Sequence, residues 1–212
     1  MSEQDTKERI LDAAEQRFAR DGFHGTSLRA ITAEAGANLA AVNYHFGSKE
    51  TLMAAVIDRR LAPLNRRRSE CLEAVAAAAR EKDRRPDVRE VLRAFIQPTL
   101  DFRGSCPGAE AFVTLVGRAL VQPDDTLRVF FQKRMEPVVT RLFESLAAAL
   151  PALPRQVLFW RLHFMLGAMS HTLCWIDRAG RAAPAGLEPS ADAETLSDLL
   201  LDFLTAGMES TS

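Results

Sequence analysis

The chain has 212 residues, of which 47% are hydrophobic and 26% charged, and its formal net charge is −1. That length can bury a sizeable core, and the composition is ordinary for a globular protein. No apolar run approaches the ~20 residues that cross a bilayer. The polar, acidic opening MSEQDTKERI lacks the apolar stretch of a secretion signal, so the expected compartment is the cytoplasm and no membrane partner is expected. Cys71, Cys106 and Cys174 are far apart and odd in number, so neither a disulfide framework nor a paired-cysteine metal clip is expected.

Turn signals cut the chain into helix-length pieces. Over residues 6–20, Ile10, Leu11, Ala14 and Phe18 recur at helical spacing; Asp5 or Thr6 can cap the start, and Gly22 ends the run. A second piece, Leu28–Ala35, follows Thr26 and Ser27 and stops at Gly36. A third, over 39–44, is short and stops at Gly47. A fourth opens at Ser48, with a first-turn Glu50 and then apolar Leu52, Met53, Val56 and Ile57. Longer helices are expected near 63–81, 87–103, 108–122, 124–149, 154–178 and 191–208. Pro98 and Pro137 should kink or break the two that contain them, and 103–108 and 180–189 have loop composition. No strand pattern or long-period repeat is present. The expected fold class is all-α with about nine helices. It comprises a three-helix N-terminal unit over 1–47 and a larger helical body over 48–212, entered by a long connecting helix.

The stretch from Thr26 to Phe46 has the physical logic of a helix-turn-helix. Leu28 and Ile31 give the first helix an inward face, Gly36 permits a left-handed turn, and Asn38 can cap the second helix. Val42 points inward while Leu39, Ala40 and Asn43 can point away, with core as the second reading of Leu39, so a short helix with small side chains could enter a major groove. Tyr44, His45 and Lys49 follow at once and suit phosphate contact. Thr26, Ser27 and Arg29 lie at another helix start, where hydroxyls can cap or touch phosphate; Arg29 is equally well read as a solvated charge. Asn43 is the best single candidate for a base contact, because its amide can pair with an adenine edge. One observation runs against this reading: residues 1–50 carry six Lys or Arg side chains against eight carboxylates, a local balance of −2. If the segment binds DNA, position must matter more than total charge.

Residues 6–60 resemble the DNA-binding domain of the TetR family, whose mark is a helix-turn-helix followed by a Tyr-His-Phe step and a Lys at the start of a long fourth helix. Here that step is Asn43-Tyr44-His45-Phe46-Gly47-Ser48-Lys49. Thr32 stands where Ala is usual and Ala37 where Val is usual, the latter removing core volume at a cost on the order of 1 kcal/mol. The resemblance implies a homodimer gripping a double-stranded, near-palindromic operator, and a body that responds to a small molecule.

The body is rich in aromatic and sulfur side chains. Most are read as core, but Phe95, Phe102, Phe112, Leu115, Phe131, Met135, Trp160 and Phe164 are candidates to line an apolar effector pocket. His163, Gly167, Ser170 and Cys174 share one helical stripe whose small residues permit close approach of another helix. With His171, Leu196, Leu199 and Phe203 they can supply the four-helix dimer contact that the family resemblance implies. His163 and His171 lie two turns apart, too far for a chelating pair, so no metal or other cofactor is expected. The pieces Ala62-Pro63-Leu64-Asn65, Arg118-Ala119-Leu120, 160–168 and Ala206-Gly207-Met208 resemble the fatty-acid-responsive PsrA-type subgroup, which implies a fatty acid or acyl-CoA effector. In the basic run Arg59, Arg60, Arg66, Arg67 and Arg68, a solvated helix face is the first reading and an acidic head group the second. No nucleophile elbow, phosphate loop, paired carboxylates or metal cluster points to an enzyme. The competing reading is a helical ligand-binding protein without DNA binding.

Overall fold

The computed structural model describes residues 3–103, 108–109, 112, 116, 125–175, 184, 186 and 193–210. Among them there are eight α-helices and no strand: α1 (Glu3–Gly25), α2 (Leu28–Ala35), α3 (Leu39–Phe46), α4 (Lys49–Glu81), α5 (Val88–Arg103), α6 (Asp125–Ala149), α7 (Arg155–Trp175) and α8 (Ala193–Glu209). The expected helix over 108–122 and the expected loop over 180–189 fall largely outside the described residues. The two pieces expected over 48–57 and 63–81 form one helix. Pro63 lies within it on an exposed position, so the hydrogen bond it cannot make falls on the solvent side, where water can replace it. Pro98 and Pro137 likewise lie inside α5 and α6 without ending them. None of the described helices is long and apolar enough to cross a membrane.

The chain divides into two compact units, one of residues 1–63 and 105–134, the other of 64–104 and 135–212. In the first, α1 buries Ile10, Leu11, Ala14 and Phe18 and packs on α2, where Ile31 and Ala35 are buried, and on α3, where Val42 and Phe46 are buried; Leu52, Met53 and Val56 at the start of α4 are buried too. Gly22, at φ 74° and ψ 172°, breaks the helical backbone within α1, and the element runs on to Gly25. A polar anchor of this unit is Glu15, only 2% exposed. Its carboxylate accepts from Arg60 Nε and Nη2, each at 3.0 Å, and from Arg59 Nη2. Arg59 also donates to Asp12 at 2.7 Å and Glu8 at 3.4 Å, so three acids of α1 converge on α4.

In the second unit α8 packs on α5 and α7. Phe95, Ile96, Leu142, Leu146, Leu158, Leu162 and Leu201 form its dry interior. Arg89 and Arg93 of α5 reach Asp198 at 3.1 and 3.2 Å, and Ser197 donates to Gln97 at 2.8 Å. Arg161 of α7 donates to the carbonyls of Met208 (2.6 Å) and Ser210 (2.8 Å), satisfying acceptors that the end of α8 leaves open. Glu15→Gln leaves two arginines facing a neutral amide. It is expected to lower the stability of the protein by about 3 kcal/mol, the low end for a broken buried ion pair because both arginines keep some water contact. Urea unfolding followed by circular dichroism checks this, and a change under 1 kcal/mol contradicts it.

Candidate nucleic-acid interface and helical body

The geometry of α3 is set from both ends. Gly36 adopts φ 58° and ψ 37°, the left-handed conformation that closes α2, and Ala37 donates its N–H to the Thr32 carbonyl at 3.0 Å. Asn38 then takes an extended conformation and its side-chain oxygen accepts from Ala41 N at 2.8 Å, capping α3. At the far end the Gly47 N–H returns to the Asn43 carbonyl at 3.0 Å. Ser48 caps α4 by accepting from Thr51 N at 3.1 Å. Only Val42 and Phe46 of α3 are buried. Leu39 (41% exposed), Ala40, Asn43 and Tyr44 (76% exposed) face outward together.

The flanking residues expected at this surface divide. Ser27 is exposed and caps α2 through Ala30 N at 3.1 Å, and Arg29 beside it is exposed. His45 is half-buried with its ring edge-on to Tyr44 at 5.1 Å, and the half-buried Lys49 rests its ammonium 4.4 Å from the centre of the Phe23 ring. Thr26 requires a correction. It is 3% exposed, and its hydroxyl donates toward the carbonyls of Gly22 (2.7 Å) and Arg17 (3.2 Å). It therefore repairs the backbone break at Gly22 and has no free hydroxyl to offer a phosphate. Thr32 is also inward, its hydroxyl bonded to the Arg29 carbonyl at 3.0 Å.

Most of the acids of residues 1–50 are held in ion pairs. Glu8, Asp12 and Glu15 are turned onto Arg59 and Arg60, and Glu34 and Asp21 onto Arg17 and Arg20. The α3 sequence, LAAVNYHF, holds no acid at all. The basic run of α4 is likewise not one solvated face: Arg66 and Arg67 are exposed, Arg59 and Arg60 pair with α1, and Arg68 is buried.

Of the expected pocket residues, Phe95 is fully buried, Met135 and Phe112 nearly so, and Phe102 and Phe131 are half-buried; Leu115 lies outside the described residues. Phe95 and Met135 belong to one compact unit and Phe112 and Phe131 to the other. Trp160 and Phe164 require a second correction. At 60% and 69% exposed they are on the outer face of α7, one turn apart, beside Phe159, and not among the buried side chains of the second unit. α7 is apolar on all sides, so helical period alone could not tell which face turned inward. The outer face also carries exposed His163, Gly167 and His171, with Ser170 half-buried at its edge; the Cys174 side chain is outside the described residues. On α8, Leu199 and Phe203 are 59% and 70% exposed and Leu196 is half-buried.

A capped, outward-facing second helix after a left-handed glycine turn, followed by a helical body, defines the helix-turn-helix class. Residues 10–56 match the bacterial regulatory proteins of the tetR family, and residues 93–207 match the tetracyclin repressor-like C-terminal domain. The chain belongs to the TetR family. A stretch of 75 residues is 36% identical to the HTH-type transcriptional regulator LmrA of Bacillus subtilis, covering 35% of this chain and 40% of that relative. The match thus spans about two fifths of that relative's length. In overall fold the chain is similar to FadR from Bacillus subtilis, crystallised in complex with stearoyl-CoA, with a TM-score of 0.70 at 16% identity over 94% of this chain and 98% of that one. It is also similar to the fatty acid degradation regulator FadR from Bacillus halodurans, with a TM-score of 0.68 at 15% identity over 97% of each chain.

Thr26→Val is expected to lower stability by about 1–2 kcal/mol through loss of the one hydroxyl donor to the Gly22 carbonyl. The exposed Ala40→Ser is expected to stay within about 0.5 kcal/mol. Thermal melts of both variants check the assignment of Thr26 to structure.

Proposed function

We propose that this chain is a transcription regulator that binds a near-palindromic double-stranded operator as a homodimer, and that an apolar small molecule releases it, making it a repressor. The observation that carries the reading is the outward face of α3. Leu39, Ala40 and Asn43 are small enough to enter a major groove, and Tyr44 stands at its edge. Asn43 reads a base edge. Tyr44, His45, Lys49, Ser27 and Arg29 hold the phosphates, and the amide of Asn38 that is not used in capping adds a donor. Residues 1–47 serve as the DNA-binding domain and 48–212 as the effector and dimer domain.

The dimer reading is supported by the outer faces of α7 and α8. Phe159, Trp160, Phe164, Leu199 and Phe203 are each 46% exposed or more, an apolar display that a lone soluble chain rarely keeps. His163, Gly167, Ser170, His171 and Leu196 complete that surface. Trp160 and Phe164 thereby move from effector binding to the partner contact. The effector reading is supported by the likeness of the fold to FadR, whose crystal complex holds stearoyl-CoA. A fatty acid or acyl-CoA suits a body lined by Phe95, Phe102 and Met135. Such an effector acts only through its unequal affinity for the two states of the protein, and a coupling of roughly 1–3 kcal/mol is typical. The continuity of α4, which supplies residues 49–63 to the first unit and 64–81 to the second, supports a role for that helix in the coupling.

Gel-shift titrations at several salt concentrations test the interface. Tyr44→Phe and Lys49→Ala should weaken binding to all operator variants, with Lys49→Ala lowering the salt slope by about one ion. Asn43→Ala should instead relax preference at a single base position, by roughly 1–3 kcal/mol. Unchanged affinity and preference in all three variants contradicts the assignment.

A further inference from the structure

Arg68 is the least expected charge in the molecule. It lies on α4 and is only 3% exposed. Asn65 Oδ1 (2.8 Å), the Phe95 carbonyl (3.2 Å), Thr99 Oγ1 (2.6 Å) and Met135 Sδ (3.5 Å) surround its guanidinium. The Phe95 ring lies 4.4 Å beneath it. Every one of these partners is neutral, and among the described residues no carboxylate pairs with it. Burial pushes the guanidinium down to about 9, which still leaves it charged at neutral pH.

A purely structural tie between α4, α5 and α6 does not call for a cation. A buried charge without a counter-ion is costly, and a neutral side chain can make the same bonds. The four neutral contacts also leave one of the five guanidinium N–H groups without an acceptor, and the thioether of Met135 is a weak one. The position is therefore short of a negative charge and of one or two good acceptors. It is wrapped by Phe95 and Met135, two of the side chains whose type already pointed to apolar-ligand binding.

We propose that Arg68 is the group with which the body reads the carboxylate of an apolar acid, and that the effector is the free acid rather than its thioester. A carboxylate that replaces the Met135 sulfur on Nη1 and takes the spare N–H on Nη2 makes a two-pronged, charge-assisted pair. A thioester or ester offers one neutral carbonyl oxygen and leaves the cation uncompensated. The charged groups of an acyl-CoA are many bonds away from its thioester, so they cannot serve the same nitrogen atoms once the chain is seated. Release of Met135, which is on α6, changes what holds α6 against Arg68 of α4, and this gives the ligand its unequal affinity for two states. The inference rests on the reading of the body as an effector domain and narrows the class of molecule that it takes.

Calorimetric titration of the intact protein with dodecanoic acid, its methyl ester, dodecanol and dodecanoyl-CoA tests it. The acid is expected to bind at least tenfold more tightly than the other three. Arg68→Gln and Arg68→Met are expected to bring the acid within twofold of the ester. Equal binding of acid and ester to the unaltered protein overturns the proposal without recourse to any variant, as does a tenfold acid preference that survives Arg68→Gln. In either case, tight binding of ester or thioester leaves the apolar-effector reading standing. Binding of none of the four overturns both.

Discussion

The arrangement of the whole N-terminal region follows from how little of α3 is given over to packing. Two of its eight residues, Val42 and Phe46, are buried, and two caps and a left-handed glycine fix its ends. A helix held this way cannot choose its own direction. The frame chooses it: Thr26 closes the break at Gly22, Gly36 sets the angle at which the chain leaves α2, and the core of Ile10, Phe18 and Ile31 anchors the two inward side chains. Everything else on α3 is released from packing and turned outward. This is the property that a groove-reading helix needs, and it is obtained with alanines and a leucine as much as with polar groups.

Electrostatics is arranged by position, not by total. A net charge of −1 describes the chain, but not the surface around α3. Glu8, Asp12 and Glu15 of α1 face Arg59 and Arg60, where Glu15 is buried between them, and Glu34 and Asp21 are engaged by Arg17 and Arg20. The same ion pairs that tie α1 to α4 therefore take negative charge away from the exposed helix. Charge effects at a surface fall off within a Debye length of about 8–10 Å at ordinary salt, so where each acid is paired matters more than the total.

The sequence was most legible where local chemistry decides the structure. Ser27, Asn38 and Ser48 are capping residues at helix starts, Gly36 sits at a turn that needs positive φ, and the period of Ile10, Leu11, Ala14 and Phe18 marks the inner face of α1; all follow from backbone rules that operate within a few residues. Pro98 and Pro137 carry the same sequence signal whether they end a helix or, as here, lie inside one. Thr26 misled because a hydroxyl at a helix start has the same sequence signature whether it faces solvent or repairs a backbone break. Trp160 and Phe164 have the aromatic type of pocket residues, and with no distinct apolar face on α7 only tertiary packing tells its sides apart. Arg68 was readable after all. Leu64, Arg68 and Leu72 are spaced by four along α4, so the arginine falls on the buried stripe, and treating 59–68 as one basic run concealed it.

The two units of the chain thus pose different physical problems. One holds a short helix outward on a rigid frame. The other buries a cation among neutral groups while leaving an apolar face on α7 and α8 uncovered. The claim on which the account turns is that α3 reads DNA, and selection of binding sites from random duplexes by the purified protein tests it most directly. The account predicts enrichment of a near-palindromic sequence with half-sites spaced for two copies of α3 in successive major grooves. Recovery of pools with no enriched sequence, at salt low enough for nonspecific binding to be seen, would contradict it.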